Sequence, residues 1–154
     1  MPITISPLPL DAFSPLFDLD DAALAARGAR RVVVTAKPGY PCRVTLDDAE
    51  VGETVLLMNH QHQPADTPFQ SAHAIYVRQT ARAAWRGDVV PPALARRLLS
   101  VRAFDAEGMM TDADVVDGHD LPSLAERLLA DPTVAYLHAH YAKPGCYAAR
   151  IDRA

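Results

Sequence analysis

His60 and His62 stand two residues apart at the end of an apolar run, and His73 opens the next one. His138 and His140 repeat the His-x-His spacing near the C-terminus. Residues two apart in a strand face the same side, so each pair would present two imidazoles together. Imidazole and thiolate suit zinc or iron, and Cys42 and Cys146 each lie within about two dozen residues of one pair. A set of Cys42, His62, His140 and Cys146 would close a tetrahedral site, whereas three ligands would leave an open, catalytic position. No Cys-x-x-Cys or His-Glu-x-x-His anchors the set, and histidines at strand ends also serve as ordinary hydrogen-bonded residues.

A thiol mechanism competes with the metal. Cys146 follows Pro144-Gly145, where a turn leads into a strand, with His140 just upstream. A neighbouring imidazole activates a thiol as a nucleophile, and His140 and His73 would be its acid–base partners. The plain alternative makes both cysteines small buried hydrophobes. Arg102 alternates with Val101 and Ala103 and so shares a strand face with Ser100 and Phe104. With Arg43 and Arg97 it could grip a carboxylate or phosphate, or else form a structural pair with Asp105 or Asp48. The acidic run from Asp105 to Asp120 does not fit the loop spacing of an EF-hand, and Met109-Met110 reads as core filler. No glycine-rich phosphate loop, nucleophile elbow or dinucleotide fingerprint is present.

The composition bounds what these residues can serve. At 154 residues, 49% hydrophobic and 22% charged, the chain can build its own core without a metal staple. A net charge of −4 and scattered arginines leave no basic stripe for nucleic acid, while a small polar or anionic molecule fits. The N-terminal MPITISPLPLDAF lacks the basic and long apolar regions of a secretory signal, and no apolar run is long enough to span a membrane. A cytoplasmic location with reduced thiols is therefore expected over a Cys42–Cys146 disulfide.

The elements that must position the site follow from patterning. Prolines 2, 7 and 9 make the N-terminus an extended edge segment. Strands are predicted over 30–36, 42–46, 54–59, 72–78, 100–105, 134–140 and 146–151, with a proline-bearing loop over 61–70. Helices are predicted over 16–28, capped by Asp18 or Asp20, and over 93–99, 111–117 and 121–130. The expectation is one α+β domain over 1–154, with about seven short, mostly antiparallel strands in a barrel-like sheet and three or four short helices. Its edge strands would allow a homodimer.

The motifs Cys42-Arg43-Val44-Thr45-Leu46, His73-Ala74-Ile75-Tyr76-Val77-Arg78, Arg102-Ala103-Phe104-Asp105 and Gly145-Cys146-Tyr147 go with His62, Pro68-Phe69, Pro91, Arg97, Gly108-Met109-Met110 and His140. Together they resemble the small bacterial family known as domain of unknown function 1203, over essentially the whole chain. The resemblance implies a free-standing bacterial protein and carries no activity with it. It points to Cys42, His62, His73, Arg102, His140 and Cys146, and it leaves His60 and His138 outside the pattern. Phe69 stands where the pattern favours tyrosine. Two readings follow: a small metal-assisted or thiol-dependent enzyme, or a non-catalytic ligand-binding or stress-related accessory module with a structural Cys/His cluster.

Overall fold

In the computed structural model, which describes residues 2–154, the apolar runs resolve into eight strands in two antiparallel sheets. The strands are β1 (Ile3–Ser6), β2 (Arg30–Val33), β3 (Thr54–Gln63), β4 (Ser71–Arg78), β5 (Leu98–Phe104), β6 (Met110–Asp117), β7 (Tyr136–Tyr141) and β8 (Tyr147–Arg153). One sheet has the order β1-β8-β7-β5-β6 and the other β2-β3-β4, and the described residues form no closed barrel. The mixed α+β class and the antiparallel pairing are as expected; the barrel-like closure is not seen.

The helices are shorter than their patterns suggest. Helix α1 spans only Asp21–Ala25, where the Asp20 carboxylate accepts the Ala23 N–H at 2.8 Å. Helix α2 covers Pro92–Ala95, after which β5 begins at Leu98. Helix α3, Leu121–Leu129, keeps its amphipathic stripe and buries Leu121, Leu124, Leu128 and Leu129. Two expected elements are replaced. The stretch over 111–117 is strand β6, whose exposed face carries Asp112 and Asp114, an edge protected by charge. The stretch over 42–46 is a tight loop in which Leu46 takes φ +51° and returns its N–H to the Cys42 carbonyl. A residue in the left-handed region cannot continue a strand.

The five-stranded sheet divides its labour by parity. Leu99, Val101 and Ala103 of β5 lie opposite Tyr141, Ala139 and Leu137 of β7, and this face forms the main core with α3. The alternate residues face the other way: Ser100 opposite His140, Arg102 opposite His138, and Phe104 opposite Tyr136. A half-buried polar face therefore comes from the same strands as an apolar one. On the smaller sheet His60 pairs with His73, and β3 runs four residues past its predicted end. Cross-links hold the far end of this hairpin to the larger sheet: Gln63 Nε2 donates to the Tyr136 hydroxyl at 2.7 Å, and the Thr67 hydroxyl donates to the Gly108 carbonyl at 3.2 Å.

Candidate metal centre

Three imidazoles converge where the two sheets meet. His138 and His140 project together from β7, as the two-residue spacing requires. His62 comes from β3 at an irregularity, where the register steps from Gln61↔Ala72 to Gln63↔Ser71 and leaves His62 as the extra residue. Such a bulge re-aims a side chain. Here it lays the His62 ring flat on Tyr147, with centroids 4.9 Å apart and planes 7° apart, and edge-on to His140 at 5.1 Å. His62, His138 and His140 each offer a ring nitrogen within 4.8 Å of the others.

The hydrogen bonds fix which nitrogens are available. His140 Nδ1 lies 3.0 Å from the Gly145 carbonyl, which can only accept, so Nδ1 carries the proton and Nε2 keeps its lone pair. Gly145 serves this contact from a turn where its φ is +83°, a conformation that favours glycine. His62 Nε2 lies 2.6 Å from His73 Nδ1. Three ring nitrogens, His62 Nδ1, His138 Nδ1 and His140 Nε2, are buried without a protein partner. Buried polar atoms are nearly always paired, so three orphans on one cluster are a strong departure.

Electrostatics keeps these rings neutral. Burial, with the neighbouring imidazoles and Arg102 behind it, pushes His62 down to about 3. Burial also takes His138 to about 3, with help from His62 and Arg150 against the opposing charge of Asp152. His140 reaches about 3 through burial, although its bond to the Gly145 carbonyl pulls the other way. Neutral imidazole is the metal-binding form. Arg102 is half-buried beside this cluster, and desolvation lowers its pKa. Its guanidinium forms no hydrogen bond or ion pair with any described residue.

The other sequence-predicted residues separate. His73 buttresses His62 and edges a cleft. Cys42 is fully buried in a different cluster with Phe13, Val44, Ile75 and Val77, and its sulfur accepts the Thr45 and Arg78 N–H groups at 3.3 Å each. Cys146 is a second free thiol, bound through Sγ to Arg43 Nη2 at 3.0 Å, and it too lies outside the imidazole cluster. Of the four expected residues, the structure brings His62 and His140 together with His138, while Cys42 and Cys146 lie elsewhere. Arg43 does not pair with Arg102: it is 1% exposed, its Nη2 turns to Cys146 Sγ, and its other donors go to the Tyr147 and Pro41 carbonyls. The expected acidic partner of Arg102 is engaged elsewhere, because Asp48 holds Arg97 at 2.5 Å and Arg96 at 2.9 Å. Asp105 caps its own turn by accepting the Glu107 and Met109 N–H groups.

Comparison with known proteins adds one finding. The model of the family described as "Protein of unknown function (DUF1203)" matches residues 39–153. The chain belongs to this family. That span takes in β3 to β8 and every residue of the imidazole cluster. No curated protein and no solved structure matches the chain. His138 is the site residue that sequence reasoning set aside. The His-x-His spacing was the signal that could have kept it.

Proposed function

We propose that this family member holds a divalent transition metal, zinc or iron, on His62, His138 and His140, and acts on a small anionic molecule seated against Arg102. The observation that carries the reading is the set of three orphaned nitrogens, His62 Nδ1, His138 Nδ1 and His140 Nε2, on rings that converge. A purely structural histidine cluster would pair those atoms with one another or with the backbone. The backing is also that of ligating histidines, whose second nitrogen normally meets a carbonyl or another acceptor. His140 has the Gly145 carbonyl, and His62 has His73. With its Nδ1 lone pair on a metal, His62 would donate its Nε2 proton to His73 Nδ1.

A cation held by three imidazoles keeps at least one coordination position for a small ligand and acts on it as a Lewis acid. The charge balance selects the ligand. Three neutral side chains leave the full charge of the ion uncompensated, and the nearest free side-chain charge, Arg102, is also positive. Its guanidinium can take a carboxylate or phosphate in two parallel hydrogen bonds. In this reading Arg102 orients the anion, Tyr147 shields the His62 ring, and Phe104, whose ring lies 5.1 Å from that of His138, dries one side.

Cobalt(II) titration of chelator-treated protein tests this. The expected result is one equivalent bound, with a visible spectrum that changes when acetate, oxalate or inorganic phosphate is added. Arg102→Met should keep the cobalt and lose most of the anion response. Failure of the wild-type chain to bind cobalt or zinc would end the reading.

A further inference from the structure

The turn between β7 and β8 builds a second cluster. A cleft of about 1230 Å³ opens there, bordered by Arg43, Tyr76, Arg97, Tyr141, Pro144 and Cys146. The Cys146 thiol is partly exposed and accepts the Arg43 Nη2–H at 3.0 Å. Arg43 has no carboxylate among its hydrogen-bond partners. Tyr141 is tied to the cysteine through the backbone, its N–H donating to the Cys146 carbonyl at 2.9 Å. Its ring lies between two guanidiniums, Arg43 at 4.9 Å and Arg97 at 5.0 Å.

The Tyr141 hydroxyl is the second, independent observation. The residue is 1% exposed and the hydroxyl has no protein partner. A phenol carries an O–H, so this hydroxyl is an unused donor. A cleft whose lining includes a thiol sulfur held against a buried guanidinium and a tyrosine with an unused O–H suits negative charge developing on an oxygen.

We propose that Cys146 is an oxidisable thiol that reacts with small hydroperoxides in this cleft. The sulfur attacks the terminal peroxide oxygen; the S–O bond forms as the O–O bond breaks. The thiol proton ends on the departing oxygen, so thiol plus hydroperoxide gives sulfenic acid plus water or alcohol. Sulfur loses two electrons and the peroxide gains them. Arg43 Nη2–H and the Tyr141 hydroxyl serve the departing oxygen while it carries charge. Cys42 is the internal control: its sulfur is fully buried and already accepts two N–H groups. The site shares no proposed ligand with the metal centre, although His73, which backs His62, also borders this cleft.

The test is hydrogen peroxide applied to the full chain in a chelator-containing buffer, with dimedone trapping and peptide mass spectrometry. Cys146 should be labelled at least about tenfold faster in the folded chain than in the urea-unfolded one, with Cys42 unlabelled while folded. Tyr141→Phe, which removes an atom that holds nothing, should leave the fold intact and slow labelling about tenfold. A folded-state rate no higher than the unfolded one, or equal labelling of both cysteines, would overturn the proposal. An unchanged rate in Tyr141→Phe would overturn the role given to the cleft.

Discussion

Acidifying the metal-free protein from pH 7 to pH 5 should remove a large part of its stability. His62, His138 and His140 are each held at about 3 in the fold, against 6.5 in the unfolded chain. The unfolded chain thus takes up protons that the native one refuses. Stability is complete above pH 6.5 and drains as the pH falls toward 3. At pH 5 each ring costs about 2 kcal/mol, so the three together cost ~6 kcal/mol. That rivals the whole stability of an ordinary domain, about 5–15 kcal/mol. With a urea slope of ~2 kcal/mol/M the unfolding midpoint would drop by ~3 M. His60 and His73 are also lowered by burial and push in the same direction. Asp48 and Glu53 stay out of this window, because their lowered values act only below the ordinary 3.8 and 4.5. The assay is equilibrium urea unfolding at pH 7, 6 and 5 after chelation, followed by far-UV circular dichroism and by the fluorescence of the lone tryptophan, Trp85. His138→Asn should flatten the pH dependence by about one proton. A wild-type midpoint that moves by less than ~0.5 M between pH 7 and 5 would refute the reasoning, because it would mean the three imidazoles titrate as in open water.

Two further substitutions separate function from structure. Arg102→Met should cost the metal-free protein no more than about 0.5 kcal/mol and could raise its thermal midpoint, because an unpaired, desolvated charge disappears; a loss above ~2 kcal/mol in urea unfolding would expose a structural partner. Asp48→Asn should do the opposite. Burial alone would raise the pKa of Asp48, yet the hydrogen bonds and charge of Arg97, with the Gly39 N–H and Arg96, outweigh it. Removing that charge leaves the Arg97 guanidinium without a carboxylate, while Arg96 keeps Asp47 at 3.8 Å, and should cost ~3–5 kcal/mol by the same measurement, with a change under ~1 kcal/mol contradicting the network.

The sequence was legible where one physical preference dominated. The α3 stripe, the Asp20 cap and the β4 alternation each appear in the structure as periodicity and capping require. It was misleading where tertiary contacts decide. The polar end of β3 reads as loop because His60, Gln61 and His62 carry no apolar signal, yet the β4 ladder holds them extended. Residues 111–117 open on Thr111, a helix-capping type, and stop before Gly118, but pairing with β5 makes them an edge strand. The candidate site was half visible. His-x-His spacing brought His138 and His140 to one face, whereas the bulge that aims His62 is a register event no local pattern announces. A cysteine near histidines in sequence carries no information about where it packs, and Cys42 lies with Phe13, Val44 and Ile75. That Arg102 lacks a partner could be learned only once Asp48 was seen to be occupied by Arg96 and Arg97.

The central claim is a metal held by three histidines and no cysteine. Its most direct test is the metal content of untagged protein purified without chelator, measured for wild type, His138→Ala, His140→Ala, Cys42→Ala and Cys146→Ala. Near-stoichiometric zinc or iron is expected in wild type and in both cysteine variants, with its loss from both histidine variants. Metal that survives the histidine substitutions, or leaves with either cysteine, would contradict it.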